Sequence, residues 1–162
     1  MIHQGEPLIV HVVRKIIDQV GHIVISRNRE DPRYESLGYP CVSDLLPDHQ
    51  GPLAGICSCL EQVHTPVVLV VPCDTPNLPH HLVQKMAPLL AGKDVVVASA
   101  AGRLQPLIMM IKVSALREML AYLETGQRSV QGWVETMNHG VAEFGDSAKE
   151  FENINRPEQL LT

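Results

Sequence analysis

The sequence predicts a three-layer α/β domain with a mostly parallel sheet, and two observations carry this prediction. Short runs of β-branched and aliphatic residues alternate with amphipathic helical segments from one end of the chain to the other. The runs Val67–Val71 and Asp94–Ala98 are almost entirely apolar, which is typical of strands buried on both faces of a parallel sheet. No linker, repeat or change of composition divides the 162 residues, so we expect one domain over residues 1–162.

Each element follows from a local pattern. The first helix begins with Pro7 in its first turn and ends at Gly21; Ser114 is expected to cap a later helix and Gly126 to end it. Pro106 predicts that its strand lies at an edge or starts there. The expected helices are Pro7–Val20, Gly51–Val63, Pro79–Leu90, Ala115–Glu124 and Ser129–Met137, with a final helical turn within Asn153–Glu158. The expected strands are His22–Ser26, Tyr39–Ser43, Val67–Val71, Asp94–Ala98, Leu104–Val113 and Val141–Phe144.

Composition excludes several classes of partner. The net charge is −5 and only 4% of the residues are aromatic, so we expect neither a nucleic-acid interface nor base-stacking platforms. The spacing of Cys41, Cys57, Cys59 and Cys73 fits neither a zinc site nor a disulfide scaffold, and we expect small buried thiols in a reducing cytoplasm. Neither a signal peptide nor a membrane-spanning run is present in the sequence, so we expect no membrane partner.

The most informative residue is Asp74, a lone carboxylate that follows the apolar run Val67–Val71. Ligands of α/β sheets bind at the carboxyl ends of the strands. A carboxylate buried there needs a cation or strong donors, and a divalent metal on a phosphate substrate provides the cation. The alternative is that Asp74 is the N-cap of a helix opened by Pro76 and Pro79.

Asn28 and Asp44 also follow predicted strands directly. The connection rules gather the carboxyl ends of parallel strands on one edge of the sheet, so both side chains are candidates for the same site as Asp74. Each of them can equally be a turn or cap residue.

Gly51-Pro52-Leu53-Ala54-Gly55 forms a glycine-rich helix start. Backbone N–H groups at such a start suit anionic or sugar oxygens. The ordinary alternative is loop glycine combined with helix packing. The ligand-binding interpretation is favoured by Asp74, which follows one strand later.

Asn153 and Asn155 are separated by one residue near the end of the chain. In an extended segment both side chains point the same way and can hydrogen-bond one ligand. Asn155 can instead cap a last helical turn. Spacing alone leaves these two readings open.

Two pairs of residues are weaker candidates. His80 and His81 cannot face one metal from a helix, because neighbouring side chains point about 100° apart, and we expect both to be solvated. Arg27 and Arg29 can contact phosphate or can be surface charges, and the surface reading is favoured slightly.

Taken together and in order, these motifs resemble the molybdenum cofactor guanylyltransferase family of the Rossmann-like nucleotidyltransferases. The matching segments are GEPLIVHVV, SRN, SD, GPLAG, PCDTPNLP, QPL and NINRPEQL, which span nearly the whole chain. The resemblance implies transfer of GMP from Mg-GTP to the terminal phosphate of molybdopterin, with release of pyrophosphate. It implies cofactor-biosynthesis proteins as possible partners.

The resemblance also implies roles for individual residues. Asp74 would be the Mg²⁺ ligand, and Asn28 and Asp44 would hold the guanosine portion. Gly51 and Gly55 would shape the pocket wall, whereas Asn153 and Asn155 would lie on the acceptor side.

One departure from the family is large. Its members begin with a strand and a glycine-rich loop of the type LAGGxSxRMGxxK, whereas this sequence aligns from just after that lysine. The difference is on the order of twenty residues, and no other glycine-rich basic run replaces it. We therefore expect a domain missing the first strand and the phosphate loop, impaired in transfer as it stands.

The departure leaves several interpretations open. The start site can be mis-assigned, the gene can be a truncated relative, or the sheet can close over the gap. Alternative functions are a sister cytidylyltransferase and a non-catalytic module that binds or delivers the molybdenum cofactor.

Overall fold

The computed structural model describes residues 2–3, 5–27, 34, 36–43, 51–145 and 148–154. Asn28, Arg29, Asp44 and Asn155 lie outside this part of the chain, as does most of the predicted final helical turn. The roles that we expect for these residues stay predictions.

The order of elements agrees with the alternation predicted from the sequence. The α-helices are α1 (Leu8–Ile16), α2 (Pro52–Leu60), α3 (Leu82–Met86), α4 (Leu116–Glu124) and α5 (Val130–Thr136). Short 3₁₀ turns cover Ala87–Leu90, Val113–Ala115 and Ala148–Phe151. The strands are β1 (Ile2–His3), β2 (Glu6–Pro7), β3 (Ile25–Arg27), β4 (Cys41–Ser43), β5 (Val67–Val70), β6 (Val95–Ala100), β7 (Arg103–Lys112) and β8 (His139–Glu143).

The main sheet has four described strands in the order β5-β7-β6-β8. Strand β7 is antiparallel to both of its neighbours, and β6 is parallel to β8. Consequently β5, β6 and β8 all run in one direction and only β7 is reversed. Strands β3 and β4 form a separate parallel pair, and β1 and β2 a short antiparallel pair. The prediction of a mostly parallel α/β sheet is confirmed in this sense.

Two apolar clusters lie on opposite faces of this sheet, and β6 contributes to both. Val95 and Val97 belong to the cluster that contains residues of α2, α4 and α5. Val96 and Ala98 belong to the cluster that contains residues of α1 and α3. Every residue of β6 is buried, so the strand is covered by helices on both sides. The predicted three layers are therefore present.

Pro106 lies inside β7 rather than at its start. The pairing of β6 with β7 shifts between Val97, which faces Met109, and Ala98, which faces Gln105. The proline therefore falls in the irregular stretch between two registers, where no ladder hydrogen bond needs its missing N–H.

Strand β5 differs from the expectation that it is buried on both faces. All of its residues are half-buried. Within the described residues β5 pairs with β7 along one edge, and no strand is in register on its other edge. The prediction of a strand is confirmed, but its second edge has no paired strand among the described residues, and its side chains are partly exposed.

Two predicted helix starts were also wrong. The helix expected from Pro79 begins at Leu82, and His81 occupies its N-cap position. Ser114 does not cap α4, since it lies within the 3₁₀ turn that precedes the helix, and Ala115 is the N-cap. Gly126 follows α4 with a φ of +86° and its N–H bonds the Leu123 carbonyl, as expected for a helix stop.

Candidate functional site

Asp74 lies in a turn just beyond the carboxyl end of β5, which stops at Val70. Its Oδ1 atom is buried and has no hydrogen-bond partner. The N-cap interpretation is wrong, because the next helix begins only at Leu82. Asp74 therefore presents a carboxylate oxygen that no helix terminus satisfies.

This carboxylate has the chemistry of a magnesium ligand. A buried, unsatisfied polar group is costly to the folded state, and a hard cation would satisfy it with an oxygen ligand. Within the described residues there is no cluster of three or more His, Cys, Asp or Glu that could hold a metal. A single carboxylate nevertheless fits Mg²⁺, which is usually held by one or two carboxylates together with substrate phosphates and water.

A second segment, residues 153–154, is joined to the turn that contains Asp74 by two hydrogen bonds. The Ile154 N–H donates to the Asp74 carbonyl oxygen at 2.8 Å. The Thr75 hydroxyl donates to Oδ1 of Asn153 at 2.7 Å. We call this pair of bonds the clasp. The clasp brings Asn153 beside Asp74. The family resemblance had implied that both residues belong to one site.

Thr75 was missed by the reasoning from the sequence. It is fully buried, with 0% of its surface exposed, whereas Asn153 is exposed. The only sequence signal was its position directly after Asp74 and before Pro76. Nothing in the sequence indicated a contact with a residue 78 positions away.

An aromatic pair anchors the segment that carries Asn153. The rings of Phe144 and Phe151 are 5.0 Å apart and tilted at 54°, and both residues are buried. Lys85 Nζ lies 4.7 Å from the centre of the Phe144 ring, and His81 packs against the same ring at 5.8 Å. Phe151 thus fixes the chain two residues before the clasp.

The glycine-rich helix start is formed as expected. Gly51 is the N-cap of α2 with φ 86° and ψ −177°, and Pro52 follows in the first turn. This backbone conformation is essentially restricted to glycine. No side chain caps the helix, and Gly55 is buried. Among the described residues no hydrogen bond joins either glycine to Asp74, so their shared site stays a prediction.

The histidine pair is exposed, as predicted. His80 Nε2 lies 3.2 Å from Lys15 Nζ, and His81 is exposed beside Phe144. Arg27 is half-buried at the end of β3. No helix in the described part of the chain has both the length and the apolar character needed to cross a membrane.

The four thiols are free, but only Cys57 is fully buried. Burial raises the pKa of Cys57 to about 12, with a smaller contribution from the negative charge of Glu61. Cys73, next to the site, is an exposed residue. Partial burial of its sulfur, followed by the Asp74 carboxylate, raises its pKa. The expectation that all four are buried thiols was therefore wrong.

Comparison with known proteins places this geometry in context. The family described as "MobA-like NTP transferase domain" matches residues 1–141. A molybdenum cofactor guanylyltransferase of Shewanella sediminis is 39% identical over 158 residues, which is 96% of this chain and 81% of that protein. One from Bordetella petrii is 38% identical over 152 residues, 90% of this chain and 78% of that protein.

Two solved structures share the fold. The molybdopterin-guanine dinucleotide biosynthesis protein A of Archaeoglobus fulgidus superposes with a TM-score of 0.73 at 22% identity, covering 99% of this chain and 85% of that one. A 2-C-methyl-D-erythritol 4-phosphate cytidylyltransferase of Thermus thermophilus superposes with a TM-score of 0.72 at 17% identity, covering 99% and 88%.

Proposed function

Because this chain belongs to the MobA-like NTP transferase family, we propose that its site serves the transfer of GMP from Mg-GTP to the terminal phosphate of molybdopterin. The observation that carries the proposal is the Asp74 carboxylate, whose buried Oδ1 has no partner in the fold. Relatives with 39% and 38% identity are molybdenum cofactor guanylyltransferases, which supports this reaction over other nucleotidyl transfers.

The residues divide into three proposed roles. Asp74 would hold the magnesium ion, which would supply positive charge to the triphosphate. Asn28 and Asp44 hold the guanosine portion, and the helix start at Gly51 and Gly55 forms the pocket wall. Asn153 and Asn155 lie on the acceptor side, a role that is supported by the clasp between Asn153 and Thr75.

The proposed reaction needs no covalent intermediate on the protein. An oxygen of the molybdopterin phosphate attacks the α-phosphorus of GTP in line. The bond from that phosphorus to the bridging oxygen of the β-phosphate breaks, and pyrophosphate leaves with the bond's electrons. Bound magnesium neutralises charge on the transferring group. The protein's part is to hold the two phosphates in contact, with the acceptor beside Asn153 and the metal at Asp74.

We further propose that these 162 residues transfer GMP slowly on their own. The sequence contains no glycine-rich basic loop to hold the triphosphate. Removing even one preorganised donor at a developing charge costs ~3–4 kcal/mol in comparable sites. The half-exposed β5 supports the same proposal, because no strand among the described residues pairs with its second edge, which leaves room for a further strand.

The test compares the chain with a version that carries an added LAGG-type leader. Each protein is incubated with Mg²⁺, molybdopterin and GTP labelled at the α-phosphate, and the guanine dinucleotide is quantified. We expect little product from the chain alone and clear turnover with the leader. In the leader-carrying version Asp74→Asn should lower the rate by roughly 10²–10³-fold, as for loss of a main transition-state stabiliser.

The exposed acid Asp18 offers a matched control, and Asp18→Asn should leave the rate unchanged. No transfer by the leader-carrying version would refute the proposed function, and an active Asp74→Asn variant would refute the metal role. Preference for CTP over GTP would identify the sister cytidylyltransferase.

A non-catalytic module for the molybdenum cofactor is the second candidate, and it is favoured because these 162 residues contain no glycine-rich basic loop. It would act with proteins of cofactor biosynthesis and bind molybdopterin without turnover in either version. We place either function in the cytoplasm, in line with the four free thiols.

A further inference from the structure

Thr75 makes a polar contact at the edge of the site, yet the proposed reaction gives it no role. Its hydroxyl is buried and donates to Oδ1 of Asn153 at 2.7 Å. Buried hydroxyl groups are normally satisfied by local backbone carbonyls. Here the partner is an exposed side chain from a distant part of the chain. The hydrogen bond therefore constrains an otherwise mobile amide.

The bond fixes which end of the Asn153 amide faces outward. Because Oδ1 accepts from Thr75, the NH₂ group on the other branch of the amide points away from Thr75. Asn153 is exposed, so this NH₂ group is accessible to a ligand. An amide NH₂ carries two N–H donors and no negative charge, which suits the oxygens of a phosphate monoester.

The backbone part of the clasp keeps this donor in register with Asp74. The Ile154 N–H bonds the Asp74 carbonyl at 2.8 Å, and Ile154 is buried. Two hydrogen bonds thus join the short segment that carries the carboxylate to the short segment that carries the amide. This coupling limits the movement of the Asp74 carboxylate relative to the Asn153 amide, the two groups that would face the reacting phosphates.

We propose that Thr75 is a positioning residue, which orients the Asn153 amide so that its NH₂ group donates to the phosphate monoester of the acceptor. This inference rests on the proposed function and goes beyond it, since it assigns a role to Thr75 and a hydrogen-bond polarity to Asn153.

Three substitutions separate the effect of the Thr75–Asn153 hydrogen bond from the effect of the NH₂ donor. Thr75→Val keeps the branched shape and removes the hydroxyl; water can then solvate the exposed Asn153 oxygen, so the variant should fold. Thr75→Ser keeps the hydroxyl. Asn153→Asp keeps an oxygen that accepts from Thr75 but replaces the NH₂ donors with a negatively charged carboxylate.

The first measurement uses the 162-residue chain without ligand. Hydrogen exchange of the Ile154 N–H reports the clasp. We expect exchange about threefold to tenfold faster in Thr75→Val, the change expected for loss of one neutral hydrogen bond. Thr75→Ser and Asn153→Asp should stay within about twofold of the parent, as the bond survives in both. Equal exchange in Thr75→Val and the parent would overturn the inference.

The second measurement is anaerobic binding of molybdopterin, with Mg-GTP binding measured in parallel. Thr75→Val should weaken molybdopterin binding about threefold to tenfold, and Thr75→Ser should restore it. Asn153→Asp should weaken it at least as much although its clasp is intact. Mg-GTP binding, measured on leader-carrying versions, should be unchanged in Thr75→Val, which a general structural defect would not allow. As a matched control, Thr65→Val removes another threonine hydroxyl bond, from Thr65 Oγ1 to the Val67 carbonyl at 3.2 Å, and should change neither affinity.

Each outcome decides the inference. Parent-like molybdopterin binding in Thr75→Val or in Asn153→Asp would overturn it, as would an absence of molybdopterin binding by the parent chain. The proposed function fails separately, if the leader-carrying version transfers no GMP.

Discussion

Replacing Asp74 with asparagine should change stability in opposite directions with and without ligand. Oδ1 of Asp74 is buried and unpaired, and an unsatisfied buried polar group costs ~1–3 kcal/mol. The residue as a whole is only half-buried, so the cost lies near the low end of that range. Asp74→Asn keeps the shape and removes the charge, and the ligand-free variant should gain about 1 kcal/mol, or ~2–4 °C in melting temperature for a chain of this size.

Mg-GTP should reverse this order of stability. A ligand that binds the folded state adds RT ln(1 + [L]/Kd), which is about 2.7 kcal/mol at a concentration one hundred times Kd. In the leader-carrying version, which has a loop to hold the triphosphate, the parent should receive this stabilisation through Asp74, whereas Asp74→Asn should receive little. The two melting curves should therefore exchange places as ligand is added.

Urea and thermal unfolding with increasing Mg-GTP measure this exchange directly. Asp18→Asn removes an exposed acid and should follow the parent throughout. The reasoning is wrong if Asp74→Asn is less stable than the parent without ligand. It is also wrong if the variant gains as much stability from Mg-GTP as the parent does.

Three further predictions concern the anchor, a crowded glycine and a buried thiol. Phe151→Ala should free the segment after residue 148 and speed exchange of the Ile154 N–H by more than tenfold, because burial of the ring against the core (4% exposed) and its aromatic pairing are both lost. Gly132→Ala should destabilise the fold by about 1–3 kcal/mol, because an added Cβ would lie 2.5 Å from the Tyr122 hydroxyl oxygen. Alkylation of Cys57 should stay slow at pH 9, since the pKa of its thiol is raised to about 12. Above pH 9 the unfolded chain loses the Cys57 thiol proton, whereas the folded chain keeps it. The free energy of unfolding should therefore fall by about 1.4 kcal/mol per pH unit between pH 9 and pH 12.

Each of these three predictions has a control variant. Phe151→Leu keeps most of the apolar volume and should speed exchange much less than alanine. Tyr122→Phe removes the obstructing oxygen and should recover most of the loss in Gly132→Ala, whereas additive effects would contradict the clash. Cys57→Ala should lose the fall in stability above pH 9, and rapid alkylation of native Cys57 would contradict its burial.

Local patterns predicted the order of elements well, because apolar periodicity reports which residues face the core. The strand ending at Val70 and the helix stop at Gly126 were both found this way. The partial exposure of β5 was not predicted, because an apolar run does not show whether a neighbouring strand is present. The helix expected at Pro79 starts three residues later: proline tolerates a first turn but does not require one.

The roles of the site residues stay predictions. Asp74 was singled out from its position after a strand, and its buried Oδ1 without a partner is consistent with the proposed metal role. The family prediction is confirmed by relatives that match over most of the chain. Thr75 could not have been found, because its role depends on a contact with Asn153 that only the folded chain brings about.

Helix α2 contacts two parts of the molecule, the β3–β4 pair and a helix of the main core. It packs against β3 and β4 on one side and against α4 on the other, and Leu53 and Leu60 at its two ends belong to the same core cluster. The helix therefore links the β3–β4 pair to the core that packs on one face of the main sheet. A substitution that disturbs the packing of α2 would therefore be felt by the β3–β4 pair and by the core of the main sheet together.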